Sequence, residues 1–161
     1  MIVSNSSTLI LIAKATLLSK FLDSTKILVI TDVVHKEITK KESFEVKIIK
    51  KEIERGRIKI EATEEKHYLG LLKQFGIDEG EASAFALCAN KKFNGILTDD
   101  RELIKLCKIE EIRFTTAMAI AVALFRKKII SKEEALEKME NLQGYGRYSK
   151  DVYNYFKSMV K

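Results

Sequence analysis

Short apolar runs alternate along this chain with longer stretches of helical periodicity. Ile2-Val3 starts as a strand, and Leu9, Ile10, Ile12, Ala13 and Leu17 then recur at helical spacing behind Ser and Thr caps. Ile27-Leu28-Val29-Ile30 is a continuous run of β-forming residues, the mark of a strand buried on both faces. Asp32 is placed to cap a helix through VVHKEITKK. A charged helix is expected from about Ser43 to Arg55, stopped by Gly56. Arg57 to Glu61 alternates like a strand, and Glu64 to Phe75 reads as a helix closed by Gly76.

The second half repeats the theme. GIDEGEASAFALCANKK reads as a turn followed by an alanine-rich helix, and Gly95 to Leu97 as a short buried strand. Arg101 to Lys108 is helical, Ile112 to Phe114 a further strand, and TTAMAIAVALFRKK a helix. Ser131-Lys-Glu-Glu134 has the form of a capping box opening a helix to about Leu142. Gly144 and Gly146 are expected to loosen the chain before a last helix, Ser149 to Val160. Short apolar strands alternating with helices predict an α/β fold, with a parallel sheet covered on both faces.

Composition narrows this picture little. With 161 residues, nearly half of them apolar, a single domain over 1–161 with a full core is expected. No apolar run reaches the roughly 20 residues that span a bilayer, and the first residues lack a basic stretch ahead of their apolar part. No membrane partner and a cytoplasmic location are therefore expected. Cys88 and Cys107 lack zinc-type spacing and read as small buried apolar residues. His35 and His67 lie apart from the acidic segments and read as ordinary imidazoles. A net charge of +6 favours a polyanionic partner such as nucleic acid.

In open parallel sheets, ligands bind beyond the carboxyl ends of the strands. Asn5 follows the first strand. Glu37 lies just beyond the second, Asp78, Glu79 and Glu81 open the alanine-rich helix, Asp99 and Asp100 follow the next strand, and Thr115-Thr116 the last. Each has an ordinary role as a helix cap, first-turn acid or solvated residue. Together they are a carboxylate group that stays ionised only beside positive charge, which hard divalent cations with oxygen ligands supply.

The pieces IVSNSSTLILIAK, TDVVHKEI, DEGEASAFALCAN, GILTDDREL and RFTTAMAIAVAL resemble, in order and spacing, the PIN-domain family, especially its branch of VapC-like toxins. The resemblance covers most of the chain. It implies a compact three-layer α/β/α sandwich with a central parallel sheet, and a Mg²⁺- or Mn²⁺-dependent endoribonuclease using three or four acids. Carried over position by position, the family acids fall on Asn5, Glu37, Glu81 and Asp100, with Asp99 as an extra neighbour. The hydroxyl after the last strand falls on Thr116. Asn5 departs from the pattern, since most relatives carry Asp there; an amide oxygen ligates Mg²⁺ without adding charge. Asn5, Glu81 and Asp100 are thus the expected metal ligands, and Glu37, Glu81, Asp99 and Asp100 the expected catalytic acids. The resemblance also implies a homodimer and the role of toxin beside a protein antitoxin. The alternative is a PIN-fold module that binds RNA with weak or no catalysis.

The tail GYGRYSKDVYNYFKSMVK holds four of the five tyrosines among cations. Aromatics and cations suit unpaired bases and phosphates, so Arg147 and Lys150 are candidate contacts to single-stranded RNA. Val152, Tyr155, Phe156 and Met159 read instead as a packing face. The segment from Lys40 to Lys59 mixes lysines with Glu42, Glu45, Glu52 and Glu54 and reads as a solvated, salt-bridged helix.

Overall fold

The computed structural model describes residues 1–25, 27–90, 93–146 and 148–161. Five strands form one parallel sheet: β1 (Ile2–Ser4), β2 (Leu28–Thr31), β3 (Ile58–Glu61), β4 (Ile96–Leu97) and β5 (Phe114–Thr115). Their order is β3-β2-β1-β4-β5, and every neighbouring pair is parallel. The chain first winds outward from β1 to β3, then returns to lay β4 on the other side of β1. The direction of winding therefore reverses between β1 and β4, and an open α/β sheet forms its crevice at such a point.

Between the strands run α1 (Ser6–Lys14), α2 (Leu18–Thr25), α3 (Asp32–Thr39), α4 (Phe44–Glu54), α5 (Leu69–Phe75), α6 (Glu79–Ala89) and α7 (Arg101–Ile109). After β5 come α8 (Ala117–Arg126), α9 (Lys132–Tyr145) and α10 (Lys150–Lys157). The strand side chains alternate between two cores. Leu28, Ile30, Ile58 and Leu97 join Leu9, Ile12, Ile38, Ile49, Met118 and Leu142 on one face. Val3, Val29 and Ile96 join Tyr68, Ile77, Phe85, Leu103 and Leu106 on the other. Two cores on two faces are a three-layer α/β/α sandwich, as expected. The period of two is hidden in the sequence because both faces are buried.

Several local expectations are corrected. Residues 9–17 do not form one helix; Thr16, at φ 59°, turns the chain between α1 and α2. The cap of α3 is Thr31, whose hydroxyl accepts from the Val34 N–H at 3.0 Å. Asp32 is instead a first-turn acid, accepting from the Thr63 N–H and hydroxyl at 2.9 Å each. Ser131 caps α9, but the Glu134 carboxylate pairs with Lys20. Gly144 lies inside α9 rather than in a linker. In α10 the buried ring is Tyr153, while Tyr155 and Val152 are exposed. In α4, Glu52 is buried rather than solvated and is held by Arg57 Nε at 2.6 Å.

Gly95 has a clear steric duty. A Cβ there would sit 2.7 Å from the Arg113 carbonyl oxygen, which accepts the Ile96 N–H at 2.9 Å across β4 and β5. Gly95→Ala must push these strands apart at the sheet edge. The expected cost is about 1–3 kcal/mol, read from thermal or denaturant unfolding.

Candidate active site

Helices α1, α3, α7 and α8 each begin directly after a strand, at the carboxyl edge of the sheet, and the candidate residues lie on or beside these helices and α6. Asn5 directly follows β1 and is almost wholly buried. Its Oδ1 caps α1 by accepting from the Thr8 N–H at 3.1 Å, and its Nδ2 donates to Thr98 Oγ1 at 2.9 Å. Thr98 closes β4, so this bond bridges the two strands between which the winding reverses. Thr98 Oγ1 also accepts from the Asp100 N–H at 3.1 Å. Asp100 caps α7 through Oδ1, accepting from the Leu103 N–H at 2.7 Å.

Glu81 enters from α6. Asp78 caps this helix, accepting from the Glu81 N–H at 2.8 Å, and the Asp78 N–H donates to Glu81 Oε2 at 3.0 Å. This reciprocal capping box holds the carboxylate in place. Burial pushes the Glu81 carboxyl up to about 7; the Asp78 N–H opposes this, and repulsion from Asp78, Asp100 and Glu37 adds to it. The repulsion places Glu37, Glu81 and Asp100 in one electrostatic group. Glu37 comes from the end of α3, where Ser6 Oγ donates to its Oε2 at 2.7 Å. The three acids thus arrive from α3, α6 and the β4–α7 turn.

The other expected residues stand elsewhere. Asp99 is turned away from this group. Its Oδ1 accepts from the Tyr148 hydroxyl at 2.6 Å, and its Oδ2 from the Ala117 N–H at 3.2 Å. Its own N–H donates to Thr8 Oγ1 at 2.8 Å. Burial raises the Asp99 carboxyl above the ordinary range, and these partners partly restore it. Burial and the neighbouring Asp99 charge push the Tyr148 phenol far up. Thr116 caps α8, its hydroxyl accepting from the Ala119 N–H at 3.2 Å. Lys150 is the first residue of α10 and is exposed. Arg147 lies outside the described residues. Ser6, Gly80 and Tyr148 belong to the site's framework and carry no signal in the sequence, whereas Asp78 stands in the acidic constellation but serves as the cap of α6. The DEGE spacing carries a signal for Asp78, since an acid three residues ahead of Glu81 is a capping pattern.

Among the described residues, no group of three or more His, Cys, Asp or Glu stands at metal-ligating distance. The donor set nonetheless fits a hard divalent cation. Glu37, Glu81 and Asp100 each commit one carboxylate oxygen to the hydrogen bonds above and keep the other outside them. None of the ion pairs among the described residues involves these acids. Mg²⁺ typically takes one or two carboxylates and keeps several waters, so a loose acid group suffices.

A five-stranded parallel sheet between two helical layers, with its winding reversed between β1 and β4, defines a three-layer α/β/α protein. A family model described as a PIN domain matches residues 1–161, and the chain belongs to that family. PIN domains are generally nucleases that act on RNA and use divalent metal ions. No curated protein and no solved structure gives a significant match. Among the described residues, no helix is long and apolar enough to cross a membrane.

Proposed function

We propose that this chain is a divalent-metal-dependent endoribonuclease, a single PIN domain acting in the cytoplasm on single-stranded RNA. The observation that carries this reading is that Glu37 and Asp100 lie near enough to Glu81 for their charges to raise its carboxyl. Glu81 and Asp100 would hold Mg²⁺ or Mn²⁺ through their uncommitted oxygens. Such an ion, when bound, supplies charge stabilisation at a scissile phosphate and acidifies a bound water. Glu37, tethered by Ser6, would orient a water and accept its proton. Thr116 and Lys150, with Arg147, are the proposed contacts to the RNA backbone. A toxin role beside a protein antitoxin, and a homodimer, extend the reading by family likeness. The direct test is cleavage of structured and unstructured RNAs with Mg²⁺, Mn²⁺ or EDTA. Cleavage that persists in EDTA, or none with either metal, overturns the proposal.

The second reading, an RNA-binding module of weak or no catalysis, is favoured by one feature. Both polar atoms of the Asn5 amide are engaged, one with α1 and one with Thr98, and the amide brings no charge. Asn5→Asp separates the readings. Asp caps helices as well as Asn does, and the Thr98 hydroxyl turns to donate to the new oxygen. Added negative charge is expected to tighten Mn²⁺ binding by about tenfold, repulsion within the acid group limiting the gain. A working nuclease then needs less metal at a similar or higher rate, whereas a binding module gains cleavage it lacked. Calorimetric Mn²⁺ titration beside an RNA cleavage assay distinguishes the two, and unchanged affinity would leave Asn5 a helix cap and strand tie alone.

A further inference from the structure

Gly80 stands in the first turn of α6, and its φ is not among the positive ones. The backbone therefore has no need of a glycine, which lowers helix stability relative to alanine. A Cβ at this position would meet Glu37 Oε1 at 2.5 Å, Oε2 at 2.6 Å and Cδ at 2.8 Å. The three nearest atoms all belong to one carboxyl group. The missing side chain at Gly80 is the space that the Glu37 carboxylate fills.

Glu37 itself sits near the end of α3, where a helix disfavours negative charge. Left alone, a side chain with three rotatable bonds would swing to solvent. It crosses instead to the first turn of α6, where backbone N–H groups favour a carboxylate. Ser6 Oγ, donating at 2.7 Å from the start of α1, fixes the other side. We infer that Gly80 and Ser6 are positioning residues for Glu37, and that they set its carboxylate over α6 one residue from Glu81. The consequence for cleavage rests on the nuclease reading; the placement of Glu37 does not.

The overlap with Gly80→Ala falls on the far end of a flexible side chain, so the fold survives and Glu37 moves. The test is a double-substitution cycle. Gly80→Ala is made in the wild type and in Glu37→Ala, beside Ser6→Ala and Ser6→Thr. In the Glu37→Ala background, Gly80→Ala is expected to raise the melting temperature by a few degrees, the ordinary gain of alanine over glycine in a helix. In the wild type the gain is smaller or absent, because the carboxylate must give way. Mn²⁺ affinity by calorimetry, and RNA cleavage, are expected to fall about tenfold in Gly80→Ala and no further once Glu37 is already Ala. Ser6→Ala lowers both in the same direction, and Ser6→Thr, which keeps the hydroxyl, restores them. Equal melting gains in the two backgrounds, or failure to fold in both, overturn the inference. So does Mn²⁺ affinity in Gly80→Ala within twofold of the wild type. A wild type that cuts no RNA defeats the nuclease reading, and the melting cycle still decides where Glu37 is held.

Discussion

Asp100→Asn is expected to lower metal-dependent RNA cleavage by about a hundredfold or more, with the folded state kept. The site separates the two effects cleanly. Asp100 Oδ1 caps α7, and asparagine caps helices about as well as aspartate. The Asp100 N–H still reaches Thr98 Oγ1. What disappears is the charge and the second carboxylate oxygen, the only features a cation needs that the helix does not. Cleavage by the purified variant, beside its melting temperature, checks both halves. Undiminished cleavage would remove Asp100 from the reaction.

The second large effect is on stability and runs with pH. Burial, and repulsion from Asp78, Asp100 and Glu37, raise Glu81 from an ordinary value of 4.5 to about 7 in the folded protein. Below about pH 4.5 the group is protonated folded or unfolded, and it makes no difference to stability. Between about 4.5 and 7 the unfolded chain releases the proton and the folded one keeps it. The folded protein then binds more protons, so stability falls as pH rises, and the loss is complete above about 7. The full shift corresponds to about 3 kcal/mol, which solvent screening of this partly exposed group reduces to about 1–2 kcal/mol. Glu81→Gln keeps the acceptor that the capping box needs and cannot ionise. In EDTA it is expected to match the wild type near pH 4.5 and to exceed it by about 1–2 kcal/mol at pH 8. Melting curves across that range test this. The Asp99 carboxyl, also raised by burial, keeps a residual slope of the same sign in both proteins.

Much of this architecture is written in local pattern. Ile27 to Ile30 and Gly95 to Leu97 announce buried strands through unbroken apolar character, and Asp78 with Glu81 announces a helix start through spacing alone. Chemistry that depends on direction is not local. Asp99 and Asp100 are neighbours of one type, and only the turn after β4 decides which faces the acid group and which faces α8. Thr31 and Asp32 are equally good caps by composition; the hydroxyl of Thr63 draws Asp32 away. Ser6 and Glu37 are 31 positions apart, and no periodicity links them. Gly80 looks like a weak point in a helix until the side chain above it is seen. The carboxylates were legible by type and order, but what holds each in place was not.

The Tyr148–Asp99 bond gives the site an order of completion in time. Synthesis delivers the strands and the acids at their ends by Thr115, the last residue of β5, yet the half-buried Asp99 carboxylate still lacks one of its partners. That partner emerges 49 residues after Asp99. A nascent chain stopped short of it leaves the half-buried Asp99 carboxylate without its tyrosine donor. Such a chain holds every acid of the candidate site and lacks the tail that completes the pairing of Asp99, so the site is finished only when its last segment docks.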